Sequence, residues 1–314
     1  MFRICRCVNK KRVLWGIVTV LILCVAAEIV LRSVFGFCDA LLYQPSNKYE
    51  YIAQPNQQHY RFFAHIRYNS YSQRNDELDS TRVKVLGLGD SVIFGGTWMD
   101  QGSLASTLFS KETGMQMLNI SCGSWGPDNC AAYLKEKGTF GAKAMILVCS
   151  SHDAYDVMSH QPVVGIYPNY PDRQYKLALW ELTDRYLLPR IRSSFMKQKT
   201  MLDPDAHVAE NIQSASVAKK SYRFNPGFGQ LKEIADSLDI PFAIYLHAEL
   251  NELLSGDYNP MGVEIIEWAR DNNVPLYGGI TYGEKPNMYK DVIHLNENGQ
   301  RHLADVMKLM ITNK

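Results

Sequence analysis

A short stretch in the first third of the chain, R-V-K-V-L-G-L-G-D-S-V-I-F-G-G over residues 82–96, most constrains how this chain can fold. Its apolar, partly β-branched run between glycines predicts a buried parallel strand. Gly87 and Gly89 allow a sharp turn after that strand, and Asp90 and Ser91 stand where a helix would begin. Ser91 is therefore predicted at a helix N-terminus, where free backbone N–H groups favour a negatively charged oxygen. A simple helix cap would give the same G-D-S tripeptide.

A second motif lies near the C-terminus, where Asp291 precedes His294 by three residues in K-D-V-I-H. In a loop before a helix beginning near Asn296, this spacing lets the carboxylate reach Nδ1 of the imidazole. Nε2 then stays free to take a proton from a serine. Together the two motifs predict a nucleophilic triad of Ser91, His294 and Asp291.

Apolar runs alternate with amphipathic stretches between these two motifs. We predict strands at 83–88, 117–120, 144–149, 242–246 and 275–277, and helices at 104–112, 129–137, 230–238 and 263–271. Strands that alternate with helices through short turns indicate an α/β fold with a parallel sheet covered on both faces. The 314 residues, 46% of them hydrophobic, suffice for one such core with appendages.

Two motifs, the G-D-S that ends at Ser91 and the D-x-x-H that ends at His294, are typical of the SGNH, or GDSL-like, hydrolase superfamily, which the chain therefore resembles. The segment 67–78, R-Y-N-S-Y-S-Q-R-N-D-E-L, is similar to the N-S-x-G-x-R-x-x-E lead-in of membrane-anchored bacterial members, with Ser72 in place of a glycine. The resemblance runs from about Arg67 to the C-terminus. It implies a flavodoxin-like three-layer α/β/α sandwich and a reaction that needs no cofactor.

Two further blocks of that superfamily are altered in this chain. In L-N-I-S-C-G-S-W-G-P-D-N, residues 118–129, Ser124 stands at the glycine whose N–H would hold the oxyanion, and Gly123 would replace it if the turn shifted by one residue. In C-S-S-H-D-A-Y-D, residues 149–156, His152 stands where an asparagine is usual. A histidine can donate the same hydrogen bond, but its protonation makes activity depend on pH. The resemblance thus implies an oxyanion hole made by the N–H groups of Ser91 and Ser124 and the side chain of His152.

The third block also leaves two other interpretations open. His152 and Asp153 could serve only to satisfy groups of their own loop. Alternatively, His152, Asp153 and Asp156 could bind a metal ion, although no other part of the sequence shows ligand spacing.

The N-terminus combines basic residues with a long apolar stretch. Residues 1–12 carry five lysines and arginines, and residues 13–37 are apolar apart from Glu28, Arg32 and a few small polar residues. This length can span a bilayer, and the positive-inside bias places the N-terminus in the cytoplasm. A cleaved signal peptide is the alternative. We therefore expect a cytoplasmic N-terminus (1–12), a single transmembrane anchor (13–37), a lead-in stalk that folds against the domain (38–80), and an extracytoplasmic hydrolase-like domain (81–314).

A long insertion separates the third and fourth predicted strands. It covers about 157–225, with a predicted helix at 173–188 that Pro189 should end and a polar, basic stretch over 193–222. This insertion either covers Ser91 as a lid that selects the substrate or is a structural excursion.

The charge and cysteine content exclude two other classes of protein. The formal net charge is +1 and no basic run lies beyond the N-terminus, so nucleic acid is not an expected partner. Four cysteines follow the apolar stretch, which are too few and too scattered for a disulfide scaffold.

By resemblance to anchored relatives, we expect a serine esterase that acts on O-acetyl groups of extracytoplasmic polysaccharide, with envelope polysaccharide machinery as a candidate partner. Two alternatives remain open. The same triad could transfer acetyl groups onto a polymer, since both reactions pass through an acyl-serine. The altered second and third blocks would also fit a catalytically weak carbohydrate-binding or assembly component.

Overall fold

The computed structural model describes residues 10–191, 221 and 223–312, which form two compact units. The N-terminal unit contains residues 10–40, 61–63 and 174–191. The sheet unit contains residues 41–60, 64–173, 221 and 223–312.

The secondary structure follows the alternation that the sequence predicts. The strands are β1 (Tyr43–Ser46), β2 (Glu50–Ala53), β3 (Gln58–Arg61), β4 (Ala64–Arg67), β5 (Lys84–Gly89), β6 (Gln116–Ser121), β7 (Ala144–Ser150), β8 (Phe242–His247) and β9 (Leu276–Gly278). The helices are α1 (Lys10–Phe35), α2 (Ser91–Phe94), α3 (Ala105–Thr113), α4 (Pro127–Lys137), α5 (Ala178–Glu181), α6 (Gly227–Ser237), α7 (Leu250–Ser255), α8 (Pro260–Asp271) and α9 (Glu297–Thr312).

Five parallel strands form the central sheet of the sheet unit, in the order β6-β5-β7-β8-β9. All five predicted strands are present within one or two residues of their expected ends. The first of them, β5, has the second on one side and the third on the other. The chain therefore reverses its direction of winding between β5 and β7, and this switch point opens a crevice at the carboxyl ends of the strands.

Helices cover both faces of this sheet, which confirms the predicted three-layer α/β fold. One face packs against α4, α6 and α8 through residues such as Leu134, Leu231 and Ile265. The other face packs against α3 and α9 through Phe109 and Leu303. β5, β6, β7 and β8 are mostly apolar and are buried along nearly their whole length.

The lead-in segment after residue 40 belongs to the same core as the sheet. Tyr43, Tyr51, Ile66 and Tyr68 are all buried within it. Ser72, at the position where the resembling proteins have glycine, adopts a left-handed φ of +62°. A non-glycine residue in this conformation costs about 1–2 kcal/mol, which gives a physical reason for glycine there.

α1 of the N-terminal unit is long and apolar enough to cross a membrane between Lys10 and Ser33, a test that a signal sequence would also pass. It ends two residues before the predicted boundary at 37. Gly36 takes a left-handed φ of +67° and ends the helix, and Phe37 turns into the interior of the unit.

The observed helix in the insertion differs at both ends from the one predicted at 173–188. It begins at Ala178, and helical backbone continues past Pro189 to residue 191, so the prediction that Pro189 ends it is wrong. A π-helical turn, Leu182–Leu187, directly precedes the proline. Such a turn changes the i→i−4 pattern, so the helix can accommodate a residue without an N–H. Most of the polar, basic stretch of the insertion, residues 192–220 and 222, lies outside the described residues, so the choice between a lid and a structural excursion stays open.

Candidate active site

A tight turn between β5 and α2 presents Ser91. Gly89 has a φ of +153°, and a Cβ there would lie 2.3 Å from the Val148 carbonyl oxygen, so only glycine fits. Asp90 caps α2, because its Oδ1 accepts a hydrogen bond of 2.9 Å from the Val92 N–H. The capping function thus belongs to Asp90. Within residues 10–191, 221 and 223–312, no acceptor takes the Ser91 N–H, which stays available to a ligand.

The structure brings the three predicted triad residues together. His294 Nε2 lies 3.1 Å from Ser91 Oγ, and His294 Nδ1 lies 2.9 Å from Asp291 Oδ2. Asp291 Oδ1 accepts hydrogen bonds from the backbone N–H groups of Ile293 and His294. Burial would raise the pKa of Asp291, but these N–H groups and the His294 side chain lower it. The carboxylate therefore stays ionised and fixes the imidazole with Nε2 towards the serine.

An aromatic wall stands beside the imidazole. The Trp98 ring packs edge to face with His294, with centroids 5.1 Å apart and an interplanar angle of 76°. Lys290 Nζ lies 3.4 Å from the Trp98 ring centroid in a cation–π contact. Burial lowers the pKa of Lys290. The wall limits how far the His294 ring can turn. Trp98 stands in no motif, so this contact could not be inferred from sequence spacing.

The other predicted oxyanion residues follow strands that end level with β5. Gly89 is in register with Ser121 of β6 and with Val148 of β7. Ser124 and His152 are three and four residues beyond these partners, so both follow strand ends at the switch point of the sheet.

Two buried tyrosines orient the turn that contains Ser124. The hydroxyl groups of Tyr51 and Tyr170 donate to the Gly123 carbonyl oxygen at 3.0 and 3.1 Å. Every described peptide bond is trans, so the Ser124 N–H of this same peptide points away from the tyrosines. No acceptor for it occurs in the part of the chain that the structure describes. Ser124 has a φ of +59°, so it keeps the left-handed backbone that a glycine would adopt here.

His152 lies in a 3₁₀ turn, Ser151–Ala154, that follows β7. Its Nδ1 is 3.2 Å from Glu249 Oε1, and its Nε2 is 4.0 Å from Asp90 Oδ2, one residue from the serine. Burial alone would lower the pKa of His152. The carboxyl groups of Asp153, Glu249 and Asp90 outweigh this effect and raise the pKa to about 10. The side chain is therefore an imidazolium at neutral pH, and Glu249, which sequence reasoning missed, holds it.

The cluster of possible metal ligands differs from the predicted one. Asp90, His152 and Asp153 place one ligand atom each within 4.8 Å of one another, and Asp156 is not part of the group. These residue types can bind a divalent cation. However, the charged His152 already compensates the carboxylates. Asp153 Oδ2 already accepts a hydrogen bond of 2.7 Å from the Ser150 N–H, so this oxygen is engaged within its own turn.

A second buried ion pair supports the loop of Asp291 and His294. His247, at the end of β8, has Nδ1 2.7 Å from Glu284 Oε1 and Nε2 2.6 Å from the Ile293 carbonyl oxygen. Both ring nitrogens face acceptors, so both carry protons and the ring is charged. Burial would lower the pKa of His247, but Glu284 raises it. The pair thus fixes the backbone one residue before His294, and the position of His247 at a strand end was its only signal in the sequence.

For the ester hydrolysis that the sequence predicts, Glu249→Gln is expected to move the alkaline limb of the rate–pH profile to lower pH. The neutral amide no longer supports the charge on His152, so the ring loses its proton before pH 10 is reached. The measurement is kcat/KM for p-nitrophenyl acetate against pH, corrected for spontaneous hydrolysis. Glu264→Gln, which makes the same change in charge at the Tyr155 hydroxyl, is the matched control. Superimposable profiles for wild type and Glu249→Gln would contradict the role given to Glu249.

No protein-family model matches the chain, and no curated protein matches it. Several solved structures are similar to it. They include a member of the lipolytic protein G-D-S-L family from Veillonella parvula, with 11% identity, coverage of 74% of this chain and 99% of that one, and a TM-score of 0.39. A psychrotrophic esterase from Pseudoalteromonas sp. has 12% identity, coverage of 73% and 97%, and a TM-score of 0.40. A carbohydrate acetylesterase from Sinorhizobium meliloti has 10% identity, coverage of 74% and 99%, and a TM-score of 0.42. Part of the present chain lies outside each match.

Proposed function

We propose that this chain is a membrane-anchored serine esterase of the SGNH type that removes O-acetyl groups from extracytoplasmic polysaccharide. The observation that carries this proposal is the hydrogen-bonded series from Asp291 through His294 to Ser91, with 2.9 and 3.1 Å between the bonded atoms. If the G-D-S tripeptide served only as a helix cap, no such series would be needed. That role is filled by Asp90, which caps α2.

The reaction follows from the positions of these three side chains. Ser91 Oγ attacks the ester carbonyl carbon while His294 Nε2 takes the hydroxyl proton. When the carbon–oxygen bond to the sugar breaks, the same nitrogen returns that proton to the leaving alcohol, and an acyl-serine remains. Water then attacks the acyl group with His294 as base, which releases acetate and restores Ser91. Asp291 stabilises the imidazolium in both halves.

The developing oxyanion would be held by three donors that are fixed before the substrate arrives. These are the N–H of Ser91, the N–H of Ser124 and the imidazolium of His152. A charged donor should stabilise an oxyanion more strongly than the neutral amide of an asparagine. The replacement at His152 is therefore compatible with catalysis.

The proposed location and substrate rest on other features. α1 is long and apolar enough to act as a single-pass anchor with its basic N-terminal end in the cytoplasm. The choice of a glycan O-acetyl ester rests on the resemblance of the motifs to anchored SGNH proteins. One of the similar solved structures is described as a carbohydrate acetylesterase.

Hydrolysis and transfer differ in what resolves the acyl-serine. With the detergent-solubilised full chain and p-nitrophenyl acetate, we expect free acetate and nitrophenolate to form mole for mole, even when oligosaccharide acceptors are added. Acetylated xylan should likewise release acetate. If most of the acetyl group instead appears on the oligosaccharide, the protein is an acetyltransferase. Ser91→Ala serves as the control for acetyl release that does not depend on this site.

A further inference from the structure

A carboxylate within the apolar helix α1 has an unexpected partner. Glu28 Oε1 accepts a hydrogen bond of 2.8 Å from the Ala178 N–H, and Glu28 Oε2 accepts one of 2.9 Å from the Leu179 N–H. These are the first two free N–H groups of the helix over 178–191. Arg32 also pairs with Glu28 at 2.7 Å. Glu28 therefore caps a helix that lies 150 residues further along the chain.

Other contacts within the N-terminal unit hold the same helix in place. Arg32 donates to the Lys176 carbonyl oxygen at 2.5 Å, just before the helix begins. One turn into the helix, the fully buried Glu181 pairs with Arg61 at 2.5 Å and accepts a hydrogen bond of 2.6 Å from the Cys38 N–H. The start of the helix is thus fixed against the last turns of α1.

The position of Glu28 along α1 sets the depth of this junction. Glu28 comes 18 residues after Lys10, at which α1 begins (28 − 10 = 18). At 1.5 Å per residue this is about 27 Å, and the hydrocarbon core of a bilayer is about 30 Å thick. If the basic residues at 10–12 stand at one boundary of the hydrocarbon, Glu28 stands close to the other.

The helix that Glu28 caps exposes large apolar side chains at this level. Leu177 is 57% exposed and Trp180 is 55% exposed, whereas Ala178 and Glu181 between and beside them are fully buried. Further along, Leu187 and Ile191 are 43% and 49% exposed. These residues belong to the same unit as α1, whose large apolar side chains are also exposed. Tryptophan is enriched where the hydrocarbon meets the headgroups.

We propose that the first turns of the helix over 178–191 lie in the lipid boundary on the side opposite to Lys10, with Leu177 and Trp180 inserted among the lipids. The partner is the bilayer itself. The insertion between β7 and β8 then provides a second membrane contact besides α1. This inference rests on the proposed membrane anchor and does not depend on the esterase activity.

The test uses the full chain in phosphatidylcholine nanodiscs that contain doxyl-labelled lipid. The emission of Trp180 is obtained as the difference between wild type and Trp180→Phe. We expect this emission to be blue-shifted and quenched at least about twofold, more strongly by a label near the headgroup than by one at the acyl-chain end. The emission of Trp268, which lies in the sheet unit and is obtained in the same way from Trp268→Phe, should show no quenching. The emission of Trp15, which lies within α1 and is obtained from Trp15→Phe, reports separately on whether the anchor is in the bilayer.

A second variant tests the same surface without removing the reporter. Leu177→Asp should reduce quenching of Trp180, whereas Val263→Asp, at an apolar residue 43% exposed in the sheet unit, should leave it unchanged. An unquenched, red-shifted Trp180 would overturn the proposal, because the residue would face water. A blue-shifted but unquenched Trp180 would also overturn it, because the exposed face would then be covered by a second copy of the chain and not by lipid. If Trp15 is unquenched as well, the anchor itself is wrong, while the esterase proposal stands.

Discussion

Replacing Ser91 with alanine is expected to lower kcat for p-nitrophenyl acetate by about 10³–10⁶-fold, with a much smaller effect on KM. Without Oγ no acyl-enzyme can form, and only the oxyanion donors remain to favour attack by water. His294→Ala should cost about as much, since the serine then has no base. The double variant should lose little more, because the two side chains act in one step.

In Asp291→Asn, kcat should fall by up to about 10⁴-fold, since the amide no longer holds the imidazole in the required tautomer. Ser80→Ala, at an exposed serine in the lead-in to β5, is the control and should keep full activity. If Ser91→Ala and Ser80→Ala hydrolyse the ester at the wild-type rate, the ester reaction does not use this site. The carbohydrate-binding interpretation would then gain support.

His247→Phe is expected to give the second large effect, a loss of about 3–5 kcal/mol in the free energy of unfolding. The substitution leaves the Glu284 carboxylate buried without its charged partner, and it removes the hydrogen bond to the Ile293 carbonyl. Since Ile293 directly precedes His294, kcat should fall in the fraction of the protein that stays folded. Urea unfolding followed by circular dichroism measures the first effect, and kinetics well below the transition midpoint measure the second.

A double-mutant cycle separates the ion pair from general damage to the core. Tyr245→Phe removes one hydroxyl donor to Glu284 but keeps the pair, so it should cost only about 1–2 kcal/mol. Glu284→Gln added to His247→Phe should cost clearly less than the sum of the single changes, because neither charge is then left alone. Additive effects of the two substitutions would contradict the presence of the pair.

The same pair gives the stability a definite pH dependence. The raised pKa of His247 contributes stability that is complete below its ordinary value of 6.5 and is lost as the pH rises through the folded value. Burial would raise the pKa of Glu284, but His247 lowers it, so this residue contributes above 4.5 and its share is lost as the pH falls. The pair therefore contributes most between about pH 4.5 and 6.5, and the double variant should lack this maximum.

The sequence predicted those features that depend on local pattern. Continuous apolar runs placed the five parallel strands, and the three-residue spacing of Asp291 and His294 placed a contact that forms within one loop. The same pattern put Ser91 directly after a strand, where the fold opens its crevice. These features required no knowledge of which distant segments meet.

The partners that lie far apart in sequence could not be predicted in this way. Glu249 lies 97 residues from His152, and Glu284 lies 37 residues from His247. Neither glutamate occurs in a motif. Glu28 was visible as a charge in an apolar stretch, with Arg32 one helical turn after it. Its main partners, however, are backbone N–H groups near residue 178. Pro189 failed as a helix signal because a π turn precedes it.

The central claim, that Ser91 is a nucleophile activated by His294, is tested most directly by covalent labelling. The detergent-solubilised full chain is treated with an organophosphonate that reacts with activated serines, and the product is examined by intact mass and peptide mapping. We predict one adduct, on Ser91, that is absent in Ser91→Ala and forms far more slowly in His294→Ala. No adduct on the folded protein, or an equal adduct in Ser91→Ala, would contradict the claim.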